Sequence, residues 1–186
     1  MMTNNPGKEL QNLKNQVGMT VALISFGMMF ATLFLGYFLV RSNSSTWPPV
    51  EIANLPMLFP LLSTIVMALS SFTYFKLEKE VTYRKHFWFA TMALGIAFLV
   101  LQWELWGALN ASGILASNGH VPSMIYAFTW LHSAHIVMGL MTLMWLGHFI
   151  FRKPEAVTEL KLMNVGKFWH FLGVVWLLMY LMLFVL

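Results

Sequence analysis

The chain has 186 residues, of which 59% are hydrophobic and only 10% charged, with a mean hydropathy of +0.69, a composition that excludes a water-soluble globular domain. A formal charge of +4 does not indicate nucleic-acid binding, because the basic residues fall in short stretches between apolar segments, where they set the orientation of a membrane protein. The absence of cysteine excludes disulfides and thiolate metal ligands.

Five apolar segments, near residues 17–40, 56–75, 87–106, 124–151 and 168–186, are each long enough to cross a hydrocarbon core of about 30 Å as a helix rising about 1.5 Å per residue. The expected fold class is therefore all-α. A polar tail over 1–16 precedes a single domain over 17–186, an integral membrane bundle of five transmembrane helices. The first apolar run is too long for a signal-peptide core and lacks a small-x-small cleavage pattern, so it is expected to remain in the protein.

With five spans, the N-terminus and loops 76–86 and 152–167 share one side of the membrane. That side carries Lys8, Lys14, Lys76, Lys79, Arg84, Lys85, Arg152, Lys153, Lys161 and Lys167. Loops 41–55 and 107–123 and the C-terminus share the other, which carries Arg41 alone. This asymmetry predicts the N-terminus inside and the C-terminus outside.

In the first span, Gly27 and Ala31, and Thr32 and Gly36, make small-residue stripes that mark helix packing. The loop Ser42–Pro49 ends in Trp47-Pro48-Pro49, an extended segment with an interfacial aromatic, and Asn54 followed by Pro56 suits the start of the second helix. Pro60 is expected to kink the first turns of that helix. Its hydroxyls, Ser63, Thr64, Ser70 and Ser71, are expected to bond to their own helix or a neighbour, with no chemistry attached. The third span ends in Leu101-Gln102-Trp103-Glu104-Leu105-Trp106, where Glu104 is the one carboxylate within a predicted span. Near a helix end it reads as a hydrated or hydrogen-bonded group, with a proton-carrying or partner-binding role as the alternative. The uncharged loop Gly107–Val121 is expected at the outer surface.

The fourth span contains Tyr126-Ala-Phe-Thr-Trp-Leu-His-Ser-Ala-His-Ile-Val-Met-Gly139. Its His132 and His135 share one helical face, surrounded by Ser133, Ala134 and Gly139, and that face should point toward protein and away from lipid. Two imidazoles at this spacing suit a metal ion only if further ligands arrive, and Glu104 is the one obvious membrane candidate. His148, and His170 at the start of the fifth span, lie at similar depth and would suit axial ligation of a haem. The spacing favours the alternative, in which each imidazole bonds to a carbonyl, hydroxyl or headgroup and fixes packing.

Two stretches carry a resemblance to a known family. Thr129-Trp130-Leu131-His132-Ser133-Ala134-His135-Ile136-Val137-Met138-Gly139 and Phe168-Trp169-His170-Phe171-Leu172-Gly173-Val174-Val175-Trp176-Leu177-Leu178-Met179-Tyr180 resemble the C-terminal half of subunit III of the haem-copper oxidases. Gly18-Met19 with Ser25 in the first span, and Leu101-Gln102 with Glu104 in the third, are similar to further elements of that family. The likeness covers nearly all five spans and suits the short bacterial forms.

That resemblance implies a subunit binding no haem or copper of its own, those groups being carried by partner subunits. It implies contact with subunit I, a complex that includes subunit II, and bound phospholipid, in a bacterial inner membrane. Gln102, Glu104, Thr129, His132, His135, Gly139, Trp169, His170, Val175, Trp176 and Tyr180 would then serve packing, hydrogen bonding and contact with lipid or a neighbouring subunit. The chain departs from the family pattern at Phe26, where a buried glutamate is common, and at Trp130, where a glycine is usual. It departs again at Gly173, often an aspartate, and at Glu104, which follows Gln102 by two residues and not three. These departures favour a structural and lipid-binding subunit over a proton conduit. They also leave room for a subunit-III-like protein associated with nitric oxide reductase. The readings from other classes are a self-contained haem or metal redox protein and, weakest for lack of repeats and interrupted helices, a transporter.

Overall fold

Apolar runs of this length can satisfy their backbone in hydrocarbon only by bonding within themselves, and each forms a helix. The computed structural model describes residues 6–44, 57–152, 154 and 157–185. Helix α1 spans Pro6–Asn43, α2 Leu58–Lys79, α3 Arg84–Ala111, α4 His120–Arg152 and α5 Glu159–Tyr180. A π-helical turn, Leu181–Val185, continues α5. Among the described residues these five helices are long and apolar enough to cross a membrane.

The helices overrun the apolar segments at both ends. Residues 6–16, expected as a polar tail, are the first turns of α1, where Gln11 Nε2 donates to Asn15 Oδ1 at 3.3 Å. Lys161 and Lys167, expected in a loop, lie in α5, because Thr158 caps the helix by accepting the Lys161 N–H at 3.3 Å and Glu159 complements its positive end. The α2–α3 connection shrinks to residues 80–83, closed by the Glu80 N–H donating to the Lys76 carbonyl at 2.8 Å. Pro60, expected to kink α2, occupies its first turn, where no N–H has an intrahelical acceptor. Trp47-Pro48-Pro49, Asn54 and Pro56 lie outside the described residues.

α3 ends where Gly113 takes φ +74°, a left-handed conformation that needs glycine. Its N–H donates to the Asn110 carbonyl at 3.0 Å and that of Ile114 to Leu109 at 2.9 Å, the paired bonds that close a helix C-terminus.

Neighbouring helices run antiparallel, and their contacts fix which ends meet. At one end Lys85 of α3 lies over the Phe151 ring of α4, 5.6 Å from its centroid. There, too, Asn12 and Gln16 of α1, Glu78 of α2, Arg84 of α3 and Glu159 of α5 surround one polar cavity of about 640 Å³. At the opposite end the Tyr37 hydroxyl of α1 donates to the Met182 carbonyl, at 2.9 Å, in the π-helical turn. Half of the apolar window of α5 is buried against 11% of that of α1, so α5 is the central helix and α1 a peripheral one. Gly27 and Gly36 of α1 meet Phe171 and Met124 only at ordinary contact distance, while Ala31 and Thr32 are exposed. The stripes of α1 therefore create no close approach within the chain.

Candidate functional site

The face of α4 that carries the histidines points into the bundle. Thr129, His132, Ser133, His135, Ile136 and Gly139 are buried there, while Ala134, expected among them, is exposed. His132 is wholly buried among rings, with centroids 5.5 Å from Trp176, 5.6 Å from Phe98 and 6.2 Å from Phe30. Neither of its ring nitrogens has a hydrogen-bond partner among the described residues. His135 Nδ1 lies 2.7 Å from the Leu131 carbonyl, an acceptor, so Nδ1 carries the proton of the neutral ring. Its ring meets Phe26 edge-on at 4.8 Å and Phe30 at 5.4 Å.

This arrangement offers little to a metal ion. Among the described residues no group of three or more His, Asp or Glu side chains is placed to hold one. Glu104 is exposed on α3. His148 is exposed beside Phe149, and His170 is half-buried with its ring edge-on to Tyr74 of α2, 5.7 Å away, so the two histidines face different surroundings.

The residues around the histidine face are built to hold helices together. Trp169 of α5 is fully buried, and its indole N–H donates to Ser70 Oγ of α2 at 3.1 Å. Its six-membered ring fits between two glycines. A Cβ on Gly95 of α3 would lie 2.9 Å from Cη2, and one on Gly139 of α4 would lie 2.9 Å from Cζ3. One side chain thus joins α2, α3, α4 and α5.

The same hydroxyl device recurs twice. Trp176 Nε1 donates to Thr64 Oγ1 at 3.1 Å, and Thr64 in turn donates to its own helix at the Pro60 carbonyl, 2.8 Å away. Trp106 Nε1 donates to Thr129 Oγ1 at 3.0 Å, while Thr129 donates to Ile125 at 2.8 Å. Gln102 Nε2 donates to Ser63 Oγ at 3.1 Å, and its Oε1 has no partner among the described residues. Tyr180 is half-buried and stacks on Phe184, and Val175 is buried.

Several organising residues carried no sequence signal strong enough to single them out. Trp88 of α3 donates from Nε1 to the Leu143 carbonyl at 2.8 Å, and its indole fills the space that a Cβ on Gly147 would need. Tyr74 donates to the Leu162 carbonyl at 2.8 Å and, with Glu78, packs against Gly166.

Comparison with known proteins agrees with this architecture. The sequence model of the family described as cytochrome c oxidase subunit III matches residues 8–186. The chain belongs to the cytochrome c oxidase subunit III family. It is 31% identical over 171 residues to a probable cytochrome c oxidase subunit 3 of Nocardia farcinica, covering 87% of this chain and 82% of that one. Identity to the cytochrome c oxidase subunit 3 of Thermostichus vulcanus is 27% over 183 residues, 91% of this chain and 86% of the other. A cytochrome bo(3) ubiquinol oxidase subunit 3 of Buchnera aphidicola is 26% identical over 177 residues, 91% and 93% of the two chains. With five apolar helices and bacterial relatives, this subunit III family member is a multi-pass bacterial membrane protein.

The departures from the subunit III pattern have visible physical consequences. Phe26, the position where the resemblance leads one to expect a carboxylate, packs its ring edge-on against His135, 4.8 Å between centroids. At Gly173 a Cβ would meet Ser71 Oγ of α2 at 3.0 Å, a tight contact that a turn of the serine hydroxyl would relieve. Trp130 is exposed and stacks on Trp106, with centroids 5.3 Å apart and planes 12° from parallel.

The unpaired nitrogens of His132 give a first prediction. A buried polar group without a partner costs about 1–3 kcal/mol relative to an apolar group of similar shape. His132→Leu is expected to leave the heat- or detergent-unfolding midpoint unchanged or raised. A large fall in that midpoint would mean that the imidazole stabilises the bundle through its ring contacts with Phe30, Phe98 and Trp176 by more than its unpaired nitrogens cost.

Proposed function

We propose that this chain is the non-catalytic subunit III of a respiratory haem-copper terminal oxidase, the complex that reduces oxygen to water and couples that reaction to proton pumping. It stabilises the catalytic subunit I, shares the complex with subunit II and binds phospholipid. Its family makes it part of an oxidoreductase complex. The observation that carries the non-catalytic reading is the enclosure of wholly buried His132 by Phe30, Phe98 and Trp176, with no group of three His, Asp or Glu side chains placed to hold a metal among the described residues. Imidazoles held in this way, beside a tryptophan keyed between two glycines, order helices and do no redox chemistry.

Haem and copper then belong to the partner subunits, and Gln102, Glu104, Thr129, His132, His135, Gly139, Trp169, His170, Trp176 and Tyr180 serve packing or contact with lipid and neighbours. Support for a docking role comes from α1, whose Val21, Ile24, Met28 and Leu35 are all more than half exposed and suit a neighbouring transmembrane helix. Support for lipid comes from an apolar groove of about 270 Å³ between α2 and α5, lined by Met67, Ala68, Gly173 and Leu177 among others. The basic ends of the helices favour an inner membrane with the N-terminus inside. A self-contained haem or metal protein draws no support from His148 and His170, which have different surroundings.

The test is His132→Ala in the assembled complex. Haem and copper content should match the wild type, while stability of the complex or sustained turnover declines. An assembled oxidase that lost its metals in this variant would overturn the proposal.

A further inference from the structure

α3 turns an apolar face outward that is interrupted, within the hydrocarbon, at one position. Phe89, Ile96, Val100 and Trp103 are each more than half exposed, and at 3.6 residues per turn they fall on one side of the helix together with Glu104 and Gly107. Glu104 is itself exposed and lies about 10 Å from the midpoint of α3 at about 1.5 Å per residue, inside a hydrocarbon core with a half-thickness of about 15 Å.

The chain does little to relieve a carboxylate at that depth. Among the described residues no hydrogen bond or ion pair reaches it, and Val100, Leu101, Gly107 and Ala108, its neighbours one turn away, carry no donor side chain. The helix also opposes an escape to water. Helical side chains slant toward the N-terminus, whereas the nearer membrane surface lies beyond the C-terminal end of α3, so the Cα–Cβ bond of Glu104 leans toward the membrane centre. A carboxylate within a membrane is costly unless a partner balances it. Space for one is present: a Cβ on Gly107 would meet nothing within 4 Å, which leaves the surface beside Glu104 open to a close approach.

The missing partner is a cation that this chain does not supply. Toward that end of the bundle its described basic side chains are Arg41 and His120, each roughly 25 Å from the midpoint of its helix, and His132 and His135, which are buried. A second copy in the same orientation therefore brings no cation to the depth of Glu104. We propose that this face of α3 docks a transmembrane helix of a different subunit, one that carries a basic side chain opposite Glu104. The inference rests on the reading of this chain as one subunit of an oxidase complex, and it gives one contact of that complex a place and a charge, on a face other than that of α1.

The test uses the intact complex, purified in mild detergent through a tag on this chain, with Glu104→Leu, Glu104→Gln and the charge reversal Glu104→Lys. Because Glu104 is exposed, these variants leave the core of the chain intact, which an unchanged unfolding midpoint verifies. Retention of the partner subunit against rising detergent should fall roughly three- to thirtyfold in the leucine and glutamine variants, the range for polar contacts between membrane helices, and further in the lysine variant. A benzoylphenylalanine photo-crosslinker in place of Val100, exposed one turn from Glu104, should capture a transmembrane peptide that contains a basic residue. Glu104→Gln holding its partner as well as the wild type would assign a neutral hydrogen bond, crosslinks to lipid alone would return the face to the bilayer, and unchanged retention in all three variants would leave the carboxylate with no docking role. Each of these overturns the proposal. A wild-type chain that purifies with no partner at all overturns the subunit reading itself.

Discussion

Trp169→Ala is expected to lower the stability of the bundle by about 3–5 kcal/mol, the range for truncating a buried tryptophan. Three losses act together. The indole is fully buried, so its removal leaves a cavity in the helix that is itself the centre of the fold. Ser70 loses the N–H that it accepts, keeping only a long 3.4 Å bond to the Thr91 carbonyl. Gly95 and Gly139, which exist as gaps for this ring, then face one another across empty space, and glycine cannot fill it. Unfolding by heat or by titrated denaturing detergent, read by circular dichroism, measures the effect. A change below about 1 kcal/mol would mean that neighbouring side chains collapse into the gap.

The second large effect comes from adding a single methyl group. In Gly139→Ala the new Cβ would stand 2.9 Å from Trp169 Cζ3 and 3.1 Å from both Cε3 and Leu172 Cδ1. The indole has no easy way to move, since Ser70 holds its N–H and Gly95 lies beyond its opposite edge. Overpacking of this kind costs about 1–3 kcal/mol. The crowded atoms are those of the six-membered ring fused beyond the five-membered one, and phenylalanine lacks that extension. In a Trp169→Phe background, Gly139→Ala should therefore cost clearly less than it does alone, a coupling that a double-mutant cycle reads directly. Strict additivity would show that the glycine and the indole do not press on each other.

How much of this was legible in the sequence differs from residue to residue. The five spans and the buried direction of the His132–His135 face could be read, because burial in hydrocarbon follows from hydropathy and helical period. The ends of the helices could not, since a window of apolar residues marks the hydrocarbon and not the point where hydrogen bonding stops. Residues 6–16 and 159–167 are helical beyond the apolar segments through their own backbone bonding, helped in α5 by the Thr158 cap. The hydroxyls of α2 were visible, but their partners were not. A serine or threonine in a membrane helix has a default acceptor one turn back, as Thr64 has in Pro60, and nothing local reveals that an indole 99 residues away will use Ser70. Gly95 and Trp88 gave no signal for the same reason: a glycine in an apolar helix announces closeness without naming what approaches.

The most direct measurement is extraction of the intact complex in mild detergent through a tag on this chain, followed by subunit identification and an absorption spectrum before and after the chain is stripped from its partners. The account predicts that haem and copper co-purify and then stay with the larger subunits, leaving this chain colourless and metal-free. A separated chain that kept a haem spectrum or a bound metal would contradict it.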